Sequence, residues 1–217
     1  MRASRASLSP ISTPDPCAGC QACVTACKER WDSGPGAARD WVIELEHGRR
    51  GVDLGLTFFP GLCNHCDDHP CTAECPTGAT WANAQGVVVV DPDICIGCGY
   101  CFYACPFGAP QFPESGAFAS RGKMDKCTFC AGGPVETGSA EEHRKYGSNR
   151  VAEGKLPLCA EMCSTKALLA GDADVISDIY RMRVVNRGAS VLDWGVNYEK
   201  ASIRRSQGMK GKVSSKG

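Results

Sequence analysis

A chain of 217 residues accommodates one or two small domains, and its 24 basic residues balance its 24 acidic ones. That balance, with no long stripe of Lys and Arg, excludes a nucleic-acid footprint. Aromatic content of only 7% argues against a core held by packing alone, so the sixteen cysteines must supply much of the stability.

In chain order, residues 1–16 are rich in Ser and Pro and are expected to form a flexible N-terminus. There is no apolar run beside Arg2 and Arg5, so no secretory signal is read there. Residues 21–31 read as a short helix with Cys23 and Cys27 at i, i+4, and residues 32–40 as a Gly/Pro loop. Residues 41–46 alternate apolar and polar, residues 47–51 are a turn, and residues 54–59 read as the returning strand of a hairpin. Residues 86–91 are a β-branched run; its apolar core, 87–90, is far short of the ~20 residues of a membrane-spanning helix. Residues 131–154 form a polar, Gly-rich insertion with a helix over 139–146, and loops of that length are functional or disordered. The best helix covers 172–187. Asp172 or Asp174 caps it, Val175, Ile176, Ile179, Tyr180 and Val184 form a face for the core, and Gly188 ends it. Residues 204–217 are a basic, Gly/Ser-rich end expected to be flexible. There is no P-loop and no G-x-G-x-x-G. His47 and His143 lie in polar turns, and no nucleophile–base pair stands out.

The cysteines fall into four groups of four: Cys17, Cys20, Cys23, Cys27; Cys63, Cys66, Cys71, Cys75; Cys95, Cys98, Cys101, Cys105; and Cys127, Cys130, Cys159, Cys163. The third group fits the C-x2-C-x2-C-x3-C-P run that holds cubane [4Fe–4S] clusters. Two-residue gaps let a short loop present three sulfurs to three irons. The fourth cysteine, one helical turn on, points away and ligates the neighbouring cluster. Pro76 and Pro106 follow the fourth cysteine of the middle groups, where the outer groups have Lys28 and Ser164. Zinc sites use C-x2-C pairs too, but take four ligands from two separated knuckles. Disulfides call for an oxidising compartment and usually a smaller chain.

The crossover rule predicts an inner pair of clusters, one on Cys63, Cys66, Cys71 and Cys105 and the other on Cys95, Cys98, Cys101 and Cys75. The remaining groups pair as Cys17, Cys20, Cys23 and Cys163, and as Cys127, Cys130, Cys159 and Cys27. Four such clusters add roughly −8 of charge. Lys28, Arg30, Arg121, Lys123, Lys126 and Lys166 lie close in sequence to ligands and are candidates to offset it, although a solvated surface accounts for any one of them singly. His65 and His69, between ligands, are placed to tune a cluster by hydrogen bonding or simply to lie on the surface.

This layout resembles the four-cluster iron–sulfur subunit of the dimethyl sulfoxide reductase superfamily of molybdenum or tungsten bis-pterin enzymes. C-N-H-C-D-D-H-P-C-T-A-E-C-P-T-G-A-T (63–80), K-M-D-K-C-T-F-C (123–130) and G-S-N-R-V-A-E-G-K-L-P-L-C-A-E-M-C-S-T-K-A-L (147–168) are similar to formate dehydrogenase beta subunits. The resemblance implies an α+β fold of two ferredoxin-like 2[4Fe–4S] modules with a hairpin and loop insertions. Residues 17–58 and 107–188 would make an outer module and residues 59–106 an inner one, with a C-terminal extension over 189–217. It implies a non-catalytic electron-transfer subunit with four [4Fe–4S] clusters on the sixteen cysteines. Its partners would be a large Mo/W-bis-pterin subunit and a cytochrome b membrane subunit or other acceptor. The expected location is the periplasmic side of the inner membrane, reached with a signal-bearing partner, or alternatively the cytoplasm. Nitrate reductase relatives carry Trp in one ligand slot where this chain has Cys, and the transmembrane helix of membrane-bound relatives is not read here. A dimethyl sulfoxide, polysulfide or hydrogenase-type complex is the alternative of the same class, and a zinc-stabilised interaction module that of another.

Overall fold

The structure, a computed structural model, describes residues 8–12, 16–33, 37–113, 122–133, 135–136 and 138–186. The expected flexible stretch 204–217, the C-terminal extension, Arg121 and Gly188 lie outside these residues.

The elements run β1 (Leu8–Ser12), α1 (Ala22–Trp31), β2 (Asp40–His47), β3 (Gly55–Leu62), α2 (Pro70–Ala73), β4 (Thr80–Ala82), β5 (Val88–Val90), α3 (Tyr100–Ala104), α4 (Ala140–Tyr146), α5 (Leu158–Met162), β6 (Leu168–Asp172) and α6 (Ala173–Asn186). The described strands form three two-stranded antiparallel sheets, β1–β6, β2–β3 and β4–β5. The fold is thus a small α+β arrangement in which short helices pair, α1 against α5 and α2 against α3.

Hairpin β2–β3 follows from its alternating sequence, and its two glycines have a specific cause. Trp41 stands directly opposite Gly61, and His47 opposite Gly55. Each ring lies across its glycine and fills the space where a Cβ would go, so an otherwise poor strand residue is covered by its neighbour. The turn is closed by Asp53 Oδ1, which accepts from the Arg49 N–H at 2.8 Å.

Helix α4 is the folded part of the 131–154 insertion. Ser139 Oγ caps it by accepting from Glu142 N–H at 3.1 Å, with acidic residues in the first turn and basic ones in the last. Tyr146 and Glu142 are buried, and Arg150 N–H donates to Cys130 O at 3.0 Å, so the insertion folds back on the fourth cysteine group. Asp172 Oδ1 caps α6 through Val175 N–H at 3.1 Å. The apolar face read for this helix is only partly buried: Ile176 is enclosed, whereas Val175 and Tyr180 remain exposed. Arg183, 1% exposed, instead anchors the helix by donating from Nη2 to Lys166 O at 2.9 Å.

The expectation of a flexible stretch over residues 1–16 is corrected for residues 8–12. They form β1 and pair with β6 in the register Leu8↔Asp172 to Ser12↔Leu168. Leu8 N–H also donates to Gln85 O at 3.0 Å, and its side chain packs on Val87, Val89 and Phe129. The Ser/Pro composition is misleading because this is a two-stranded edge, where Pro is tolerated. Its partner β6 was not read as a strand from the sequence.

β5 is the centre of the described fold, with Val87 to Val90 all at most 5% exposed. Val87 and Val89 pack with Phe129 and Ala131, while Val90 packs with Cys95, Cys101 and Met124.

Candidate metal centres

The first C-x-x-C loop of each of the four groups shares one backbone feature. The residue before the second cysteine is left-handed in each: Gly19 (φ 66), His65 (φ 45), Gly97 (φ 68) and Phe129 (φ 58). This conformation curls the loop so that its two thiols face one side. Gly adopts it without cost; His and Phe do not. Those two residues are buried and stack edge-to-face at 5.6 Å, so packing holds the strained backbone.

A second repeat follows the later cysteines. Each third cysteine and its fourth lie one turn apart: Cys23 and Cys27 on α1, Cys71 and Cys75 along α2, Cys101 and Cys105 along α3, Cys159 and Cys163 along α5. After Cys75, Cys105 and Cys163 the chain makes the same turn. The N–H of Gly78, Gly108 or Lys166 donates back to the cysteine carbonyl at 3.2, 3.3 or 3.2 Å. All three residues have positive φ, and each is followed by an alanine at most 2% exposed. Cys27 differs because α1 continues past it to Trp31, which is why no proline follows it.

These turns gather the thiols around cavities. Cys63, Cys66, Cys71 and Cys105 line one of about 370 Å³, with Lys126 and His69 in its wall. Cys75, Cys95, Cys98 and Cys101 line one of about 290 Å³, with Thr77 and Met124. Cys27, Cys127, Cys130 and Cys159 line one of about 350 Å³, roofed by Trp31, Arg39 and Asp40. Cys17, Cys20, Cys23 and Cys163 form the remaining set: Cys163 is close enough to Cys17 and Cys23 to raise both thiols, and Cys20 to raise Cys17. Phe58 of the hairpin lies across Gly19, so β3 covers this set.

Four thiols to a site, presented by wrapping loops, fit cubane clusters. Zinc would draw its four ligands from two separated knuckles to ~2.3 Å.

The electrostatics divide the sets. Burial, then Asp40, pushes Cys23 up to about 12; burial, then Cys63, pushes Cys127 up to about 12; burial pushes Cys101 up to about 11. Burial also raises Cys27 and Cys159. Cys75 goes the other way: burial raises it, but hydrogen bonds from Thr77 and Thr80 outweigh that and lower it. Thr77 Oγ1 and Thr165 Oγ1 stand 3.7 Å from the sulfurs of Cys75 and Cys163, an equivalence of the two turns. The influence of Cys63 on Cys127 also fixes adjacency, because it brings a set from the second and third groups beside a set from the first and fourth.

Most charged and aromatic residues around these sets escape sequence reading. Asp40, 3% exposed, lies near the Cys23 and Cys27 thiols, and burial pushes its carboxyl up to about 6. It is thirteen positions from Cys27, with no spacing signal. Arg39 forms a two-point ion pair with Asp125 (2.5 and 3.0 Å) and stacks on Trp31 at 4.0 Å. Phe129 was detectable by aligning the four C-x-x-C loops, where Gly, His, Gly and Phe share one slot.

Of the basic residues singled out, Lys123 Nζ donates to Cys95 O, Lys28 to Ala37 O (2.5 Å), Arg30 to Ser148 O (2.5 Å) and Lys166 to Glu161 O (3.3 Å). A solvated-surface reading fails outright for Lys126, which is 1% exposed. His65 is not a surface residue either. It is buried, and its Nδ1 accepts from Val88 N–H at 3.1 Å, so the neutral ring carries its hydrogen on Nε2. His69 is half-buried with Nδ1 2.9 Å from Asp67 O, and His47 pairs with Thr57 Oγ1 at 3.0 Å.

The 4Fe-4S dicluster domain family matches residues 54–173. The "Formate dehydrogenase iron-sulfur subunit" of Wolinella succinogenes is 56% identical over 173 residues, 80% of this chain and 85% of that protein. "Probable anaerobic dimethyl sulfoxide reductase chain YnfG" of Escherichia coli is 40% identical over 162 residues, 71% of this chain and 68% of that protein. "Protein NrfC" of Escherichia coli is 38% identical over 159 residues, 73% of this chain and 62% of that protein. The chain therefore belongs to the 4Fe-4S dicluster family, and it is an iron–sulfur electron-transfer subunit related to those of formate dehydrogenase and dimethyl sulfoxide reductase.

Proposed function

We propose that this chain is the electron-transfer subunit of a formate dehydrogenase, with two ferredoxin-like modules that hold four [4Fe–4S] clusters in the crossed ligand sets. The carrying observation is that three cavities are each lined by four thiols drawn from two sequence groups, with the last four thiols left to one further set. A cubane, when bound, supplies reversible one-electron storage. The chain's own residues hold it and set its electrostatics. Phe58 shields the Cys17 set, Trp31 and Arg39 roof the Cys27 set, and Met124 N–H and Phe129 N–H donate to the sulfurs of Cys95 and Cys127 at 3.4 Å.

The sets form a row. The Cys75 set neighbours the Cys63 set through α2 and α3, the Cys63 set neighbours the Cys127 set, and α1 and α5 join that to the Cys17 set. A row suits a wire between two partners: a Mo/W-bis-pterin subunit that oxidises formate, and a cytochrome b or other acceptor. Two exposed apolar faces support an assembly. One is the outer face of the hairpin (Ile43, Leu45, Phe59); the other surrounds the Cys95 group (Ile96, Tyr100, Tyr103, Phe107). No helix among the described residues is long and apolar enough to cross a membrane. On this reading the chain has no substrate site of its own and works on the periplasmic side of the inner membrane, which fractionation of the native complex tests.

The decisive experiment is anaerobic purification of the native complex, with formate added while the cluster absorbance is followed. Rapid bleaching by formate is expected. Bleaching by dithionite alone moves the partner to a dimethyl sulfoxide reductase type of complex, a reading supported by the 40% identity to the dimethyl sulfoxide reductase relative. A colourless, folded sample overturns the cluster assignment in favour of zinc.

A further inference from the structure

Lys126 sits at the meeting point of the two halves of the row. Its side chain is 1% exposed, and Nζ donates to Val88 O on β5 and to Cys127 O, the latter at 3.0 Å. It lines the cavity of Cys63, Cys66, Cys71 and Cys105, yet its own chain neighbour Cys127 belongs to the set with Cys27, Cys130 and Cys159. Among the described residues it forms no ion pair. A buried ammonium held only by carbonyl dipoles is costly, because carbonyl groups repay little of the lost hydration. The cost is tolerable where negative charge stands close by, and the charge nearest to hand is that of the thiolate sets on either side.

The residues around it keep it there. Val88, whose carbonyl accepts from Lys126, has its N–H tied to His65 Nδ1. His65 in turn stacks on Phe129, two residues beyond Cys127. Lys126, Val88, His65 and Phe129 thus make a buried junction between the second and fourth cysteine groups. The two other junctions of the row hold no buried lysine among the described residues.

We propose that Lys126 is a positioning residue for charge: it compensates both central clusters at once and holds their potentials up together. This rests on the electron-transfer reading above. An added electron makes a cluster more negative, so a fixed positive charge between two clusters favours the reduced form of each. The two terminal clusters, around Cys17 and Cys75, lie beyond the junction and are influenced less.

The test is a mediated redox titration of the full chain in its native complex, followed by EPR, for wild type, Lys126→Gln, Lys126→Met and Lys126→Arg. Expected is a downward shift of two of the four potentials in Lys126→Gln and Lys126→Met, with Lys126→Arg close to wild type. Gln retains a donor for the carbonyls, so a shift common to Gln and Met but absent in Arg follows the charge and not the hydrogen bond. Potentials that stay put in both neutral variants, or four that move equally, overturn the proposal. If the neutral variants fail to load iron, iron content decides: retention in Lys126→Arg alone upholds the need for charge, and loss in all three overturns it. A wild-type protein without four [4Fe–4S] signals would instead count against the proposed function itself.

Discussion

At the scale of single residues, three positions stand where the chain's own repeats use glycine. His65 and Phe129 fill the left-handed slot of a C-x-x-C loop, and Lys166 (φ 55) fills the slot held by Gly78 and Gly108 after the fourth cysteine. The physical balance differs among them. Lys166 is half-buried and its side chain makes only a long 3.3 Å hydrogen bond to Glu161 O, so Lys166→Gly removes left-handed strain and is expected to stabilise the loaded protein by roughly 0.5–1 kcal/mol. Phe129 is 1% exposed, and the packing it loses outweighs the strain it sheds. Phe129→Gly is therefore expected to destabilise by about 3 kcal/mol. Thermal midpoints of the anaerobic loaded variants check the pair, and a Lys166→Gly protein less stable than wild type would refute the strain argument.

The thiols also set a pH dependence of loading. Iron displaces a proton from each thiol, so a site whose thiols are held above their ordinary value near 9 loads less readily as pH falls. The effect is on the order of tenfold per pH unit for each thiol still protonated. The Cys27, Cys127 and Cys159 thiols are all raised, whereas Cys75 is lowered by its threonine hydrogen bonds. Reconstitution of the iron-free chain at pH 7 and pH 9 should show the Cys127 set suffering most at the lower pH and the Cys75 set least. Equal loading of all sets at both values would contradict this.

Among elements, the hairpin and the short helices divide the labour. The hairpin covers a loop: a Cβ on Gly19 would come within 2.6 Å of the Phe58 ring, on a backbone at φ 66. Gly19→Ala should therefore displace β3 from the first cysteine group and cost about 1–2 kcal/mol. In air its Cys17-set cluster signal should decay before the others, and an unchanged order of decay would argue against the cover.

The hairpin, α1, α4 and α6 were legible because each carries a local signature: alternation, cysteines at i, i+4, a Ser or Asp cap. β1 and β6 were not, since their pairing joins residues 8 and 172 and leaves no local trace. The same limit hid Asp40 and Arg39, whose roles depend on which distant loops meet, and left Lys126 one candidate cation among six. Spacing made the cysteine groups visible, because a cubane's geometry is written into short gaps. It left the relation of one pair of sets to the other unspecified until Cys63 was found beside Cys127.

At the scale of the molecule, the row of sets makes a specific demand on continuity. Cys27 belongs by sequence to the first group and by position to the cavity of the fourth. Cys27→Ser should remove or convert the cluster of Cys127, Cys130 and Cys159, leave that of Cys17, Cys20, Cys23 and Cys163 in place, and uncouple that end of the row from the remainder. EPR of the reduced variant distinguishes the cases, and loss of the Cys17-set signal in place of the other would reverse the assignment.

The pairing of β1 with β6 has a consequence for how the protein is made. The ribosome delivers residues 63–105 as one uninterrupted stretch, so the two sets within it can close while the polypeptide is still growing. The first cysteine group and β1 must wait for residues 159–172, a closure across most of the described chain. Biogenesis then runs along the row from one end to the other. A cell short of iron would accumulate molecules with the Cys63 and Cys75 sets finished and the other two open, and β1, synthesised before any cluster loop, would be among the last elements to find its place.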